Sequence, residues 1–150
     1  MRIVAVSTST RKGEKKSNCE QATLVANHGI EGDIHDDGSH RQLSLLAMED
    51  IEYMRSKGAD VYPGDFAENL TTEGVELHTC PMGTLFGIGE DIELVLTQIG
   101  KECHAGCAIR QQTGDCIMPR RGIFCRIIKG GIVRPGDSFR VISRPELLPS

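Results

Sequence analysis

Short apolar runs, most of them bounded by glycine-containing turns, follow one another along much of this chain. Runs of four to eight residues of this kind are typical of β-strands. The pattern predicts strands at residues 2–7, 22–26, 41–46, 84–88, 92–98, 123–128 and 138–142. Many short strands joined by tight turns favour a mainly β fold, a bent β-barrel rather than a layered α/β arrangement.

One segment, residues 48–57, shows the spacing of a helix instead. Its apolar side chains recur at helical intervals, at Met48, Ile51, Tyr53 and Met54. Gly58 follows directly and is placed to end the helix in the left-handed conformation that glycine adopts without strain. We expect this helix to act as a lid or a prop on the core.

Residues 1–150 are expected to form a single domain, because 150 residues is a usual size for one folding unit. A domain of this size buries roughly 70% of its unfolded surface, so disulfides are not required for stability. No apolar run approaches the ~20 residues of a membrane span, and the N-terminal residues lack the pattern of a signal peptide. We therefore expect a cytoplasmic protein with reduced thiols and no membrane contact.

The charge balance argues against a general nucleic-acid binder. The formal net charge is −4, the pI is near 5.7, and the chain contains no tryptophan. Nucleic-acid-binding domains usually carry a basic face and a high pI, and those that bind single strands stack bases on aromatic side chains. A local basic pocket remains compatible with this composition.

The candidate chemistry is concentrated in residues 97–125, which contain four of the six cysteines: Cys103, Cys107, Cys116 and Cys125. Cys103 has Lys101, His104 and Arg110 close to it in sequence. Positive neighbours lower the pKa of a thiol from about 8.5 and so populate the nucleophilic thiolate near neutral pH. Cys103 is therefore the first candidate for a functional thiol.

Metal binding is an alternative use of the same residues. Cys103, His104 and Cys107 have the short spacing at which soft ligands meet one metal, and Cys116 could supply a third thiol. A structural zinc site normally needs a second closely spaced pair, which is missing here. The other three cysteines, Cys19, Cys80 and Cys125, are expected to pack as small buried groups.

Five blocks of sequence, taken together, resemble the MOSC family, which is named for the C-terminal domain of molybdenum cofactor sulfurase. They lie at residues 29–35, 40–46, 63–74, 97–103 and 130–137, in the family's order and over nearly the whole chain. The block Gly-Asp-Phe-Ala-Glu-Asn-Leu at 64–70 is the most specific. The chain looks like the stand-alone bacterial type, without the pyridoxal-phosphate desulfurase domain of the fused sulfurases.

The resemblance implies a strongly bent β-barrel of the pyruvate-kinase type, with one or a few short helices. It also implies a role in molybdenum cofactor metabolism and a cysteine that carries sulfur or contacts the metal. Cys103 matches the family's cysteine. The additional thiols at Cys107 and Cys116 leave open whether one cysteine or several do this work.

The molybdenum cofactor, molybdopterin, is an anionic dithiolene ligand that bears a phosphate, so guanidinium and ammonium groups around a soft sulfur ligand suit it. The candidates for cofactor contacts are Arg41, Asn69, Lys101, Arg120, Arg121 and His35. Cys103 is the candidate metal ligand, with His104, Cys107 and Cys116 as further candidates. Asp33 and Glu68 are expected instead to brace turns by accepting backbone N–H bonds.

Three functions follow as hypotheses. In the first, Cys103 accepts sulfur as a persulfide from a cysteine desulfurase and passes it to the cofactor of a molybdenum enzyme. In the second, the chain is a non-catalytic module that binds and delivers the cofactor. In the third, it reduces N-hydroxylated compounds at bound molybdenum with an external electron donor, because the sequence shows no flavin or iron–sulfur motif.

Overall fold

The computed structural model describes residues 1–8, 17–31, 43–66, 68–100 and 122–145. Strands dominate these ranges, which confirms the mainly β class. The strands are β1 (Arg2–Thr8), β2 (Ser17–Cys19), β3 (Ala22–Val25), β4 (Gly29–Ile30), β5 (Leu43–Ala47), β6 (Leu70–Glu73), β7 (Leu85–Ile88), β8 (Ile92–Ile99), β9 (Ile123–Lys129), β10 (Gly131–Val133) and β11 (Phe139–Ser143). The α-helix is α1 (Met48–Ser56), and a short 3-10 turn covers Leu77–Thr79.

The larger of two sheets has the strand order β11-β7-β8-β9-β5-β6-β1-β2. Its neighbouring strands are antiparallel except for β5 and β6, which are parallel and are connected through α1. A bridge between Arg2 and Ser138 brings β1 to the start of β11, and the Phe139 amide donates to the Met1 carbonyl at 3.2 Å. The sheet therefore curls into a strongly bent barrel, although no continuous ladder joins β1 to β11 in the described ranges.

The main core fills the inside of this bent sheet. Alternate residues of β8 and β9 point into it, because successive side chains of a strand face opposite sides. Leu94 and Leu96 on β8 and Ile123 and Ile127 on β9 are almost completely buried there. The smaller sheet, with the order β10-β3-β4, adds Leu24 and other residues to the same core.

A second apolar cluster lies on the opposite face of β5 and β9, beneath α1. It consists of Leu46, Ile51, Met54, Ala59, Val61, Phe66 and Phe124. The helix ends as predicted: Gly58 has φ +97°, and the amides of Gly58 and Ala59 bond back to the carbonyls of Arg55 and Met54. This pair of hydrogen bonds is a Schellman cap. The helix is thus a prop that covers one outer face of the sheet.

The sequence pattern missed four strands. Residues 17–19 and 70–73 carry few apolar side chains, 29–30 are only two residues long, and 131–133 begin with the second of two glycines that indicated a turn. All four are nevertheless paired, with β1, β5 and β3 among their partners. In the described part of the chain, no helix is both long and apolar enough to cross a membrane.

Candidate functional site

Asn69 ties three strands together at the start of β6. Its side chain is fully buried, and its Oδ1 atom accepts hydrogen bonds from the Ser44 amide and the Ser44 hydroxyl, both at 3.1 Å. Its Nδ2 atom donates to the Ser7 carbonyl at 3.2 Å. The Ser7 amide in turn donates to the Asn69 carbonyl at 2.7 Å. Asn69 therefore fixes β6 against both β5 and β1.

Glu68, the preceding residue, braces the turn before it. The carboxylate is fully buried and accepts hydrogen bonds from the Phe66 amide at 3.3 Å and the Thr71 hydroxyl at 3.1 Å. This confirms the prediction that Glu68 accepts backbone N–H bonds. Burial raises the pKa of Glu68 to about 7, an effect that hydrogen bonds from Gly64, Phe66 and Thr71 partly offset.

The turn that Glu68 braces has a twin elsewhere in the fold. In residues 62–65, the Asp65 amide donates to the Tyr62 carbonyl at 3.0 Å, and the Tyr62 amide donates to Asp65 Oδ2 at 2.9 Å. The same two bonds link Arg134 and Asp137, at 3.1 and 2.8 Å. Both turns have the sequence X-Pro-Gly-Asp and a positive φ at glycine, as in a type II turn. They differ because only the first covers a buried carboxylate.

The segment that carries the predicted functional thiol joins β8 to β9. The Gly100 amide donates to the Gly122 carbonyl at 2.6 Å, and the Gln98 side chain donates to the Gly100 carbonyl at 2.7 Å. Gly100 and Gly122, which flank this segment after β8 and before β9, are therefore held together by a hydrogen bond. Phe124, two residues after Gly122, is the cross-strand partner of Ser44, so the polar cluster around Asn69 lies in the neighbouring part of the same sheet.

The three cysteines in the described ranges are poor candidates for chemistry. Cys80 and Cys125 are buried in the main core, as predicted, and burial raises the pKa of the Cys125 thiol far above its usual range. Cys19 is half-buried, packs against the same core and bonds the Val6 carbonyl through its Sγ atom at 3.4 Å. A neutral, enclosed thiol is a weak nucleophile.

Of the predicted site residues, Asn69 lies within the described ranges, where it links three strands. Its contact with a cofactor stays a prediction. The others lie outside the described residues: His35, Arg41, Lys101, Cys103, His104, Cys107, Cys116, Arg120 and Arg121. Asp33, expected to brace a turn, also lies outside them. Within the described ranges, no group of three or more His, Cys, Asp or Glu residues is arranged to hold a metal ion.

Sequence reasoning missed the partners of Asn69 and Glu68. Ser44 is a polar residue inside a strand whose five residues are all buried, and Ser7 closes an apolar strand in the same way. A serine within a buried apolar run is the signal that could have indicated an internal hydrogen-bonding partner. Thr71, three residues after Glu68, is a similar case.

Comparison with known proteins gives a family and a set of similar folds. The MOSC domain model matches residues 31–140. The crystal structure of YuaD from Bacillus subtilis has a TM-score of 0.76 at 17% identity, covering 92% of this chain and 93% of that one. YiiM from Geobacillus stearothermophilus has a TM-score of 0.69 at 17% identity, with 95% and 75% covered.

YiiM from Escherichia coli has a TM-score of 0.64 at 24% identity, with 97% of this chain and 71% of that one covered. A comparison with curated proteins finds no match. The structural likenesses bear on the fold, and they agree with the mainly β, strongly bent sheet described above. Because the family model spans well over half of the 150 residues, including the Gly-Asp-Phe-Ala-Glu-Asn-Leu block, the chain belongs to the MOSC domain family.

Proposed function

We propose that this protein is a sulfur carrier of molybdenum cofactor metabolism, and that Cys103 carries the sulfur as a persulfide. Membership of the MOSC family supports the broader part of the proposal, because MOSC domains are associated with the molybdenum cofactor. The finer part rests on the residue types at 101–121 and on the hydrogen bond between the two residues that flank them.

The observation that carries the proposal is the hydrogen bond between Gly100 and Gly122, the residues on either side of this segment. The Gly100 amide donates to the Gly122 carbonyl at 2.6 Å, so the two residues that flank the stretch with Cys103 and its neighbouring cations are held side by side. The three thiols in the described ranges, Cys19, Cys80 and Cys125, are buried or half-buried in the core. A thiol that must meet a partner protein is therefore best supplied by this segment.

The loading step is a thiol exchange in which atoms and electrons balance. The Cys103 thiolate attacks the outer sulfur of a persulfide on a cysteine desulfurase and forms a new S–S bond. The S–S bond of the donor breaks, and the donor cysteine leaves as a thiolate. No external oxidant or reductant is consumed, and a proton is shared between the two thiolates according to their pKa values.

The donors that the sequence offers suit the cofactor in kind. Cys103 supplies a soft sulfur ligand, and Lys101, Arg120 and Arg121 supply cations for a phosphate. When bound, the cofactor would supply the metal centre that receives sulfur. Asn69 suits a direct contact less well, because its Oδ1 and Nδ2 atoms are already bonded to Ser44 and Ser7.

The loading step is tested by intact-mass spectrometry after incubation with a cysteine desulfurase and cysteine in the absence of oxygen. We expect wild-type protein to gain the mass of one sulfur atom, and we expect the reductant dithiothreitol to remove it. Cys103→Ser should gain nothing, whereas the matched variants Cys107→Ser and Cys116→Ser should still gain sulfur. An unchanged gain in Cys103→Ser would refute the assignment.

The cations are tested separately by molybdopterin binding. Arg120→Gln and Arg121→Gln should each weaken binding about tenfold or more, because a charge-assisted bond to phosphate is worth about 1.5–3 kcal/mol. Arg126→Gln is the matched control, since Arg126 is exposed on β9 outside the segment. Cofactor binding without any persulfide on Cys103 would favour the non-catalytic delivery module instead.

A further inference from the structure

The Glu68 carboxyl group is enclosed in an unusual way for an acid. It is fully buried next to the second apolar cluster, to which Phe66 belongs. Its hydrogen-bond donors are the backbone amides of Gly64, Phe66 and Glu68 itself and the Thr71 hydroxyl. Two of these four donors, the amides of Gly64 and Phe66, lie immediately before it in the chain.

No described cation forms an ion pair with this carboxylate. Several charged or titratable groups stand on the elements around it, namely Asp60, Tyr62 and Asp65 before it, Asp50 and Arg55 on α1, and Glu73 on β6. Arg55 is engaged with the Tyr62 ring, 5.0 Å from its centroid. Ionisation of Glu68 thus places a negative charge in a buried setting without a described ion-pair partner, and this is costly.

The most exposed part of this enclosure is the turn at residues 62–65, whereas Phe66, which follows it, is buried in the second apolar cluster. Tyr62 is 49% exposed, Asp65 is half-buried, and two of the bonds in the turn are made among its own residues. Asn69 and β6, by contrast, are fixed by bonds to two other strands. If water is to reach the carboxylate without global unfolding, movement of the turn is the least costly route.

We propose that residues 62–65 form a proton-linked lid, which stays closed over Glu68 when its carboxyl group is neutral and opens more readily when that group is ionised. In the closed state the neutral acid can donate to Thr71 while still accepting from the Phe66 amide. In the open state water solvates the carboxylate. The device adjoins Asn69, so it would couple pH to the strand ends at the start of β6, and it does not depend on the proposed function.

The size of the effect follows from linkage. In the open state the group would regain its ordinary pKa of 4.5, against about 7 in the closed state. The opening equilibrium then rises with pH between these two values, by at most about 300-fold, and is constant above and below them. The sign follows because the closed state holds the proton more tightly than the open state.

Native-state hydrogen exchange of the full chain tests this lid. The amides of Asp65 and Phe66 are followed by NMR from about pH 5 to about pH 8, with rates corrected for the intrinsic effect of pH. We expect their protection to fall by roughly 70-fold over this range. The Asp137 amide, in the twin turn without a buried carboxylate, is the internal control and should show no such fall.

Two variants complete the experiment. Glu68→Gln keeps a neutral side chain and should make the protection of Phe66 independent of pH, whereas Glu52→Gln, at an exposed position on α1, should behave like wild type. Equal protection of the turn at both ends of the pH range would overturn the lid. So would exchange of its amides only at the rate of the core strands β8 and β9, because the turn would then open only on global unfolding. Both readings come from wild-type protein, so they hold even if Glu68→Gln does not fold.

Discussion

Replacing Asn69 by alanine tests whether this residue is the tie between β1, β5 and β6. The side chain makes three hydrogen bonds, two to Ser44 and one to the Ser7 carbonyl, and is fully buried. A buried hydrogen bond contributes about 1 kcal/mol net, so the loss of three should lower the free energy of unfolding by about 3 kcal/mol. The residual cavity adds to this loss.

The assay is urea unfolding of the apoprotein followed by circular dichroism, because a domain of this size commonly unfolds in one cooperative transition. The matched control is Asn18→Ala. Asn18 is exposed on the edge strand β2, and its side chain accepts a hydrogen bond from the Ser7 hydroxyl at 2.8 Å. We expect it to lose less than about 1 kcal/mol.

A double-mutant cycle with Ser44→Ala isolates the pair. In the wild-type protein the Ser44 hydroxyl lies 3.1 Å from Asn69 Oδ1 and 3.0 Å from the Asn69 amide nitrogen. We therefore expect a coupling energy between the two side chains of roughly 0.5–1.5 kcal/mol. An Asn69→Ala variant no less stable than Asn18→Ala would refute the reasoning. In that case the direct role of Asn69 in binding the cofactor would become its better explanation.

Three further predictions concern the fold. Glu68→Gln should remove the pH dependence that Glu68 gives to the free energy of unfolding. Because the pKa of Glu68 is raised to about 7, wild-type stability is greatest below pH 4.5 and about 3 kcal/mol lower above pH 7. Urea midpoints that shift equally with pH in both proteins would contradict this. Gly58→Ala should cost about 1 kcal/mol by thermal unfolding, because its φ of +97° strains alanine although the space around it is open; no loss would contradict the Schellman cap. Gly130→Ala should cost clearly more than Gly58→Ala, because its Cβ would fall on the carbonyl oxygen of Leu24, and an equal or smaller loss would contradict that contact.

The parts of the fold that the sequence predicts are those whose apolar side chains alternate. In β8 and β9, inward apolar residues such as Leu94 and Ile127 recur at every second position, so both strands and the mainly β class can be predicted from the sequence. The strand β6 reads Leu-Thr-Thr-Glu, with one apolar residue, and owes its place to pairing with β1 and β5. Tertiary pairing of this kind leaves no local signal.

The candidate site divides in the same way. The bracing role of Glu68 can be predicted because a carboxylate and its amide donor are two residues apart. The partners of Asn69 are 25 and 62 positions away, so the sequence names the residue without showing what it touches. Cys103 and its basic neighbours are identified by composition and by family resemblance. The structure adds the hydrogen bond between Gly100 and Gly122, which flank them.

The most direct test of the central claim follows sulfur from this protein to the cofactor. Wild-type protein is loaded with radiolabelled sulfur by a cysteine desulfurase, separated from the donor, and mixed with a desulfurated molybdenum enzyme and a reductant in the absence of oxygen. We predict that label enters the cofactor of the enzyme and restores its activity, and that Cys103→Ser protein delivers none. Label that stays on the wild-type chain, or that is delivered equally by the Cys103→Ser variant, would contradict the account.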